Sequence, residues 1–134
     1  MTTFVLDAFA LLALFQDEPG ASRLQALIRE AQQESSVLHI TAVNLGEVVY
    51  SLQNRRGLDA AVEALGAVES SPISVVDVDL NLALSASRLK SSARLDYLDC
   101  FVAALAQQLQ ATVVTGDPDF KKVEAIVNVE WLPV

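Results

Sequence analysis

The 134 residues, 52% of them hydrophobic, are enough for one domain with a sizeable core and too few for two. Seventeen acidic residues against nine basic ones give a formal net charge of −8, which argues against a general nucleic-acid coating protein, because phosphate binding usually leaves a basic footprint. No apolar window reaches the roughly 18 residues of a membrane span, and the first residues lack the basic start of a signal peptide. We therefore expect a cytoplasmic protein without a membrane association, in which the single Cys100 is a small packing residue.

Short β-rich apolar runs alternate along the chain with longer stretches of helical period, which is typical of parallel strands joined by crossover helices. The pattern predicts one domain over residues 1–134, a three-layer α/β/α sandwich with a central, mostly parallel sheet. The predicted strands are residues 4–6, 37–40, 73–76, 111–115 and 128–132. The predicted helices are residues 8–15, 22–33, 42–54, 58–69, 80–91 and 97–110.

Four carboxylates stand where apolar runs stop or begin, namely Asp7, Glu47, Asp99 and Asp117. Helix capping is the alternative explanation for three of them. Asp7 suits the N-cap of the first helix, Asp117 precedes a proline in the first turn of a short helix, and Asp99 suits a capping-box partner of Asp96. Glu47 has no such role, since it lies near the apolar face of its helix.

Taken together, the four acids predict a metal site. Ligands of open parallel sheets bind at the carboxyl ends of strands, where Asp7 and Asp117 stand and where the helix of Asp99 begins. Carboxylates gathered there repel one another until a divalent cation neutralises them. Oxygen ligands without cysteine or a histidine cluster favour Mg²⁺ or Mn²⁺.

Metal-dependent phosphoester hydrolysis is the chemistry that such a site predicts, because the ion lowers the pKa of a bound water and offsets negative charge on a phosphodiester. The chain offers no good nucleophile for a covalent route. The only histidine, His39, lies inside a predicted strand and suits a packed imidazole better than a general base, and a glycine-rich phosphate loop is absent.

Four segments in order along the chain resemble the motifs of the PIN domain family, and specifically of VapC-like toxins from toxin–antitoxin pairs. The segments are Val5-Leu6-Asp7-Ala8, Asn44-Leu45-Gly46-Glu47-Val48, Leu95-Asp96-Tyr97-Leu98-Asp99-Cys100-Phe101 and Val114-Thr115-Gly116-Asp117-Pro118-Asp119-Phe120. The resemblance implies an endoribonuclease toxin that depends on Mg²⁺ or Mn²⁺, cuts RNA, often forms a homodimer and is inhibited by a cognate antitoxin protein.

Carried over residue by residue, Asp7, Glu47, Asp99 and Asp117 take the acidic catalytic and metal-binding positions of the family. Asp7 and Asp99 would be the principal metal ligands, and Glu47 and Asp117 would complete the pocket directly or through water. Thr115 would hydrogen-bond a ligand carboxylate or serve only as a strand residue. Three further bases, Arg88, Lys90 and Arg94, would hold RNA phosphates or stabilise a helix end.

Two further acids, Asp96 and Asp119, lie within the motif segments. Asp96 stands where family members often carry a small hydroxyl residue, and it would cap the helix or add negative charge at the mouth of the site. Asp119, in the turn of Asp117, is expected to be a solvated or capping acid.

Three other protein classes share features with this sequence. A haloacid-dehalogenase-like phosphatase requires a second aspartate two residues after the first, but Ala8 and Phe9 follow Asp7. A response-regulator receiver domain requires an acidic pair near the first strand, a phosphoacceptor after the third and a lysine after the last, and the sequence does not match this pattern. A catalytically silent PIN-like module that binds or regulates a partner stays open, because it shares the fold and suits the charge of −8.

Overall fold

The computed structural model describes all residues from Met1 to Val134. Five strands and six α-helices alternate as the sequence predicts, and a 3₁₀ turn precedes the last strand. In chain order they are β1 (Thr2–Leu6), α1 (Ala8–Phe15), α2 (Ala21–Gln32), β2 (Ser36–Thr41), α3 (Ala42–Arg56), α4 (Leu58–Glu69), β3 (Ile73–Val76), α5 (Leu80–Ala93), α6 (Tyr97–Leu109), β4 (Thr112–Thr115), the 3₁₀ turn (Pro118–Val123) and β5 (Asn128–Trp131).

The five strands form one sheet in the order β3-β2-β1-β4-β5, and every pairing is parallel. The predicted sandwich with a mostly parallel sheet is confirmed, and the sheet is in fact parallel throughout. The chain moves outward from β1 through β2 to β3 and then crosses over to β4 on the other side of β1. This reversal between β1 and β4 leaves a crevice at the carboxyl ends of those two strands.

Two apolar cores cover the two faces of the sheet. Leu6 points into a core shared with α1, α2, α3 and α4, while its neighbour Val5 points into a second core formed with α5 and α6. Successive side chains of a strand point to opposite faces of the sheet. Because a core covers each face, Val5 and Leu6 are both completely buried. Burying one such side chain contributes about 1.5 to 3 kcal/mol to folding. No helix has the combination of length and apolar character that crossing a membrane requires.

Local sequence signals set most of the boundaries. Helix α3 ends at Gly57, whose φ of 92° is strained for any residue with a side chain. Helix α5 extends two residues past its predicted end and stops at Arg94, which adopts a left-handed conformation with φ of 55°.

The last strand is fixed by a long-range ion pair. Arg23 on α2 donates from Nε and Nη2 to the two carboxylate oxygens of Glu130 on β5, at 2.7 and 2.9 Å. Gly20, just before α2, packs against Leu132, just after β5. These contacts attach the edge strand β5 to the helical layer.

Candidate metal centre

Asp7 is the first residue after β1 and is buried at the crevice between β1 and β4, with 2% of its surface exposed. Its Oδ1 accepts a hydrogen bond from the backbone N–H of Ala10 at 2.9 Å, so the predicted N-cap of α1 is confirmed. Its Oδ2 accepts a short hydrogen bond from the hydroxyl of Thr115. Burial is the main cause that raises the pKa of Asp7 from 3.8 to about 8, against the lowering effect of both hydrogen bonds.

Thr115 connects Asp7 to Asp117. Its Oγ1 accepts a hydrogen bond from the backbone N–H of Asp117 at 3.0 Å and donates one to Oδ2 of Asp7. Thr115 is completely buried. Of the two roles considered for Thr115, contact with a site carboxylate is the one observed. Asp117 in turn accepts from the backbone N–H of Asp119 at 2.9 Å and caps the 3₁₀ turn, as predicted.

Gly116, between these two residues, leaves room for an aromatic ring. A Cβ atom at this position would lie 2.3 Å from Cε1 of Phe9 on α1. The ring therefore packs directly on the backbone of the β4 end. A side chain at this position would displace either Phe9 or the turn that carries Asp117.

Asp99 lies in the first turn of α6, and its carboxylate faces the turn after β4. One carboxylate oxygen each from Asp99, Asp117 and Asp119 lie within 4.8 Å of one another. Burial first, and then the charges of Asp117, Asp96, Glu47 and Asp119, together raise the pKa of Asp99 from 3.8 to about 7. The structure thus adds Asp119, expected to be only a solvated or capping acid, to the acidic group.

Glu47 reaches the same group from the second turn of α3. Its Oε1 is buried and has no hydrogen-bond partner. Burial, followed by the charge of Asp96, raises the pKa of Glu47, while the nearby Asn44 side chain opposes the rise without bonding to Oε1. A buried carboxylate oxygen without a partner is costly. This orphaned oxygen points to a missing positive charge beside it.

Asp96 occupies the N-cap position of α6 but makes no capping hydrogen bond with its side chain, so the predicted cap is wrong. Its carboxylate is exposed and adds charge near the site, because it raises the pKa of both Asp99 and Glu47. Of the two roles considered for this residue, added negative charge is the one that the structure supports.

No basic side chain of the chain neutralises Asp7, Glu47, Asp99 or Asp117. The only ion pair nearby is between Lys122 and Asp119, at 3.7 Å. Lys122 and Lys90 instead donate to the backbone carbonyls of Arg94 and Leu95, at 3.3 and 3.0 Å, and so fasten the loop before α6. Cys100 is completely buried in the core that α5 and α6 form on one face of the sheet, which agrees with its expected packing role.

The donor set fits a hard divalent cation. Of the four predicted site residues, Asp99 and Asp117 lie in the close group with Asp119. Asp7 and Glu47 lie outside that group: Asp7 is joined to Asp117 through the hydroxyl of Thr115, and the charge of Asp117 raises the pKa of Glu47. The acids offer only oxygen, which suits Mg²⁺ or Mn²⁺ rather than Zn²⁺. A cation among them would supply a partner for Oε1 of Glu47 and offset the mutual repulsion of the acids.

Solved structures with the same fold come from VapBC and VapC proteins. The chain aligns with one from VapBC2 of Rickettsia felis bound to a promoter DNA fragment, with a TM-score of 0.79, 15% identity and coverage of 98% of this chain and 100% of the other. It aligns with the sarcin–ricin loop cleaving toxin VapC20 of Mycobacterium tuberculosis at a TM-score of 0.75 and 20% identity, over 94% and 98% of the two chains. It aligns with a chain of DNA-bound VapBC from Salmonella typhimurium at a TM-score of 0.73 and 19% identity, over 97% of this chain and 98% of the other.

At these identities the structural matches establish the fold, and no curated protein matches the chain. The family model of the PIN domain matches residues 4–126, which is nearly the entire sequence and includes all four acids. The chain therefore belongs to the PIN domain family.

Proposed function

We propose that this protein is a metal-dependent endoribonuclease, the toxin of a toxin–antitoxin pair, acting as one domain of 134 residues. The observation that supports the proposal is that Asp99 and Asp117 lie close together, that Asp7 is joined to Asp117 through Thr115, and that the charge of Asp117 reaches Glu47. None of these four acids has a basic partner from the chain. Such a group gains most from a divalent cation, and it stands at the edge of the sheet where ligands of this fold class bind.

Asp7 and Asp99 would hold Mg²⁺ or Mn²⁺, with Glu47 and Asp117 completing the pocket. When bound, the ion would offset negative charge on a phosphodiester and lower the pKa of a water molecule. The chain itself orients the ligands. The N–H of Asp117 holds the hydroxyl of Thr115, and this hydroxyl holds Oδ2 of Asp7, so Asp7 and Asp117 are joined by one hydrogen-bonded path.

RNA is the proposed substrate because phosphodiester hydrolysis suits the site and because the similar protein VapC20 is a toxin that cleaves the sarcin–ricin loop. The net charge of −8 makes a bound cation all the more necessary for any approach of a phosphate backbone.

An antitoxin protein and a second copy of the chain are the proposed partners. Two of the similar structures are VapBC complexes bound to DNA. A basic side chain of an antitoxin, placed among the four acids, would give them the positive charge that the chain does not provide. Light scattering of the purified protein tests the homodimer.

Cleavage of a structured RNA by the purified, partner-free protein tests the function. We expect cleavage with Mg²⁺ or Mn²⁺, none with EDTA and none by Asp7→Asn. Asp79→Asn is the matched control, because Asp79 caps α5 with the same geometry, 2.8 Å from the N–H of Leu82, but is exposed. It should cleave like the wild type.

Two outcomes would contradict the proposal. Cleavage that survives both EDTA and Asp7→Asn would exclude the metal centre as its source. Absence of cleavage in every metal, together with tight binding of a basic partner peptide, would favour the catalytically silent module instead. A DNA strand of the same sequence, run in parallel, tells ribonuclease from general nuclease activity.

A further inference from the structure

The buried amide of Asn44 joins two helices that carry site acids. Asn44 has no exposed surface and lies on α3, one turn before Glu47. Its Nδ2 donates to the backbone carbonyl of Leu98 at 2.9 Å. Leu98 directly precedes Asp99 on α6, so one hydrogen bond connects the neighbourhoods of two acids that are 52 positions apart in the sequence.

The orientation of this amide is fixed by its partners. The carbonyl of Leu98 can only accept, so the amide nitrogen must face it. The amide oxygen accepts a short hydrogen bond from the hydroxyl of Thr41, and Oγ1 of Thr41 accepts from the backbone N–H of Asn44 at 3.1 Å. Thr41 is also fully buried and forms the N-cap of α3. The network leaves the Asn44 side chain a single arrangement.

Burying an amide between two helices costs free energy unless all its polar atoms find hydrogen-bond partners, whereas an apolar residue needs none. Apolar packing tolerates small rotations and shifts of one helix against the other, whereas the hydrogen bond from the buried amide of Asn44 to the half-buried Leu98 carbonyl has a narrow range of distance and angle. The contact therefore fixes α3 relative to the first turn of α6 more closely than packing alone.

We propose that Asn44 is a positioning residue that sets the relation between the carboxylates of Glu47 and Asp99 and thereby the affinity for the divalent cation. The inference rests on the proposed metal centre. Asn44 contacts neither the ion nor the substrate; it acts through the two helices and through its side chain beside the Glu47 carboxylate. Partners that orient metal ligands in this way typically change metal affinity by about 10- to 100-fold when they are removed.

Mn²⁺ binding to the full chain, measured by calorimetry and by the loss of the free Mn²⁺ EPR signal, tests the inference. Asn44→Ala removes the amide, and we expect it to weaken Mn²⁺ binding by at least about tenfold. Val68→Ala is the control for stability alone, because Val68 is buried on α4, a helix that carries no site acid. It should lower the midpoint of urea unfolding and leave Mn²⁺ affinity within about twofold of the wild type.

Thr41→Val provides a second variant with nearly the shape of threonine and without the hydroxyl that holds the amide oxygen of Asn44. We expect it to weaken Mn²⁺ binding severalfold, in the same direction as Asn44→Ala. Should Asn44→Ala not fold, the result with Thr41→Val decides.

The possible failures are distinguishable. Unchanged Mn²⁺ affinity in folded Asn44→Ala, or in Thr41→Val, would overturn the positioning role and leave the metal centre intact. Equal losses in Asn44→Ala and Val68→Ala would overturn it as well, because they would reflect stability alone. Failure of the wild-type chain to bind Mn²⁺ would overturn the metal centre itself, and the role of Asn44 with it.

Discussion

Replacing Asp7 with asparagine separates the charge of this buried carboxylate from its role as a helix cap. Asparagine keeps the oxygen that accepts from the N–H of Ala10, and it is as good an N-cap as aspartate. It removes the ionisable group whose pKa burial raises from 3.8 to about 8. We therefore predict that, without metal, Asp7→Asn is more stable than the wild type at pH 8.

The sign follows from proton binding. Between pH 4 and pH 8 the metal-free native protein keeps a proton on Asp7 that the unfolded chain has already lost, so the free energy of unfolding of the wild type falls as pH rises. Below pH 4 both states are protonated, and the variant gains nothing from losing the carboxylate. The advantage of the variant should therefore be near zero at pH 4, grow with pH and level off above about pH 8.

The gain in the free energy of unfolding of Asp7→Asn over the wild type has an upper limit. A rise from 3.8 to about 8 is roughly four pKa units, or about 5 to 6 kcal/mol at 1.36 kcal/mol per unit. Relaxation of the site and entry of water reduce such penalties, and the amide makes a poorer partner for Thr115 than the carboxylate does. We expect a gain on the order of 2 to 4 kcal/mol at pH 8.

Urea unfolding in EDTA at half-unit steps from pH 4 to pH 8.5 measures this difference. Asp79→Asn is the control, because the exposed cap Asp79 should give a difference that does not follow the same profile. Added Mg²⁺ should stabilise the wild type and not Asp7→Asn, which reverses their order. Parallel profiles for the wild type and Asp7→Asn, or a less stable variant at pH 8, would refute the reasoning.

Three further predictions concern the surroundings of the site and the edge of the sheet. Gly116→Ala should lower the free energy of unfolding in urea by about 1 to 3 kcal/mol, because its Cβ would lie 2.3 Å from the Phe9 ring. The loss should be much smaller in a Phe9→Ala background, and an equal loss with Phe9 and with Ala at position 9 would exclude the clash. A double-mutant cycle on Arg23 and Glu130 should give a coupling of about 0.5 to 1 kcal/mol, since these side chains are 38% and 29% exposed, and a coupling near zero would contradict the attachment of β5. Asp96→Asn should move the pH midpoint of Mn²⁺ binding down by roughly a few tenths of a unit because it removes a like charge, and an unchanged midpoint would show that its charge is screened.

The alternation of strands and helices could be predicted because it depends on neighbours in sequence. Apolar period, the stop at Gly57 and the caps at Asp7 and Asp117 all act within a few residues, and the structure reproduces them. Local rules have limits even here. Asp96 has the position of a cap, but its side chain makes no capping bond.

The candidate site could be predicted as a set of residue types, and its role stays a prediction; the structure places Asp99 beside Asp117 and joins Asp7 to Asp117 through Thr115. Its additional members could not. Asp119 joins the group because the turn after β4 brings its carboxylate toward α6, which no local pattern specifies. The burial that raises the pKa of Asp7 likewise depends on packing from elements far along the chain.

By itself the sequence determined the succession of elements, the caps at Asp7 and Asp117 and the four acids as candidates, since these follow from patterns over one or two helical turns. Only the tertiary structure decided the strand order, the joining of Arg23 to Glu130 across 107 positions and the joining of Asn44 to Leu98 across 54. Contacts between distant segments form only when the two cores close on the sheet, because many alternative partners satisfy the same local pattern and only the packed chain selects among them.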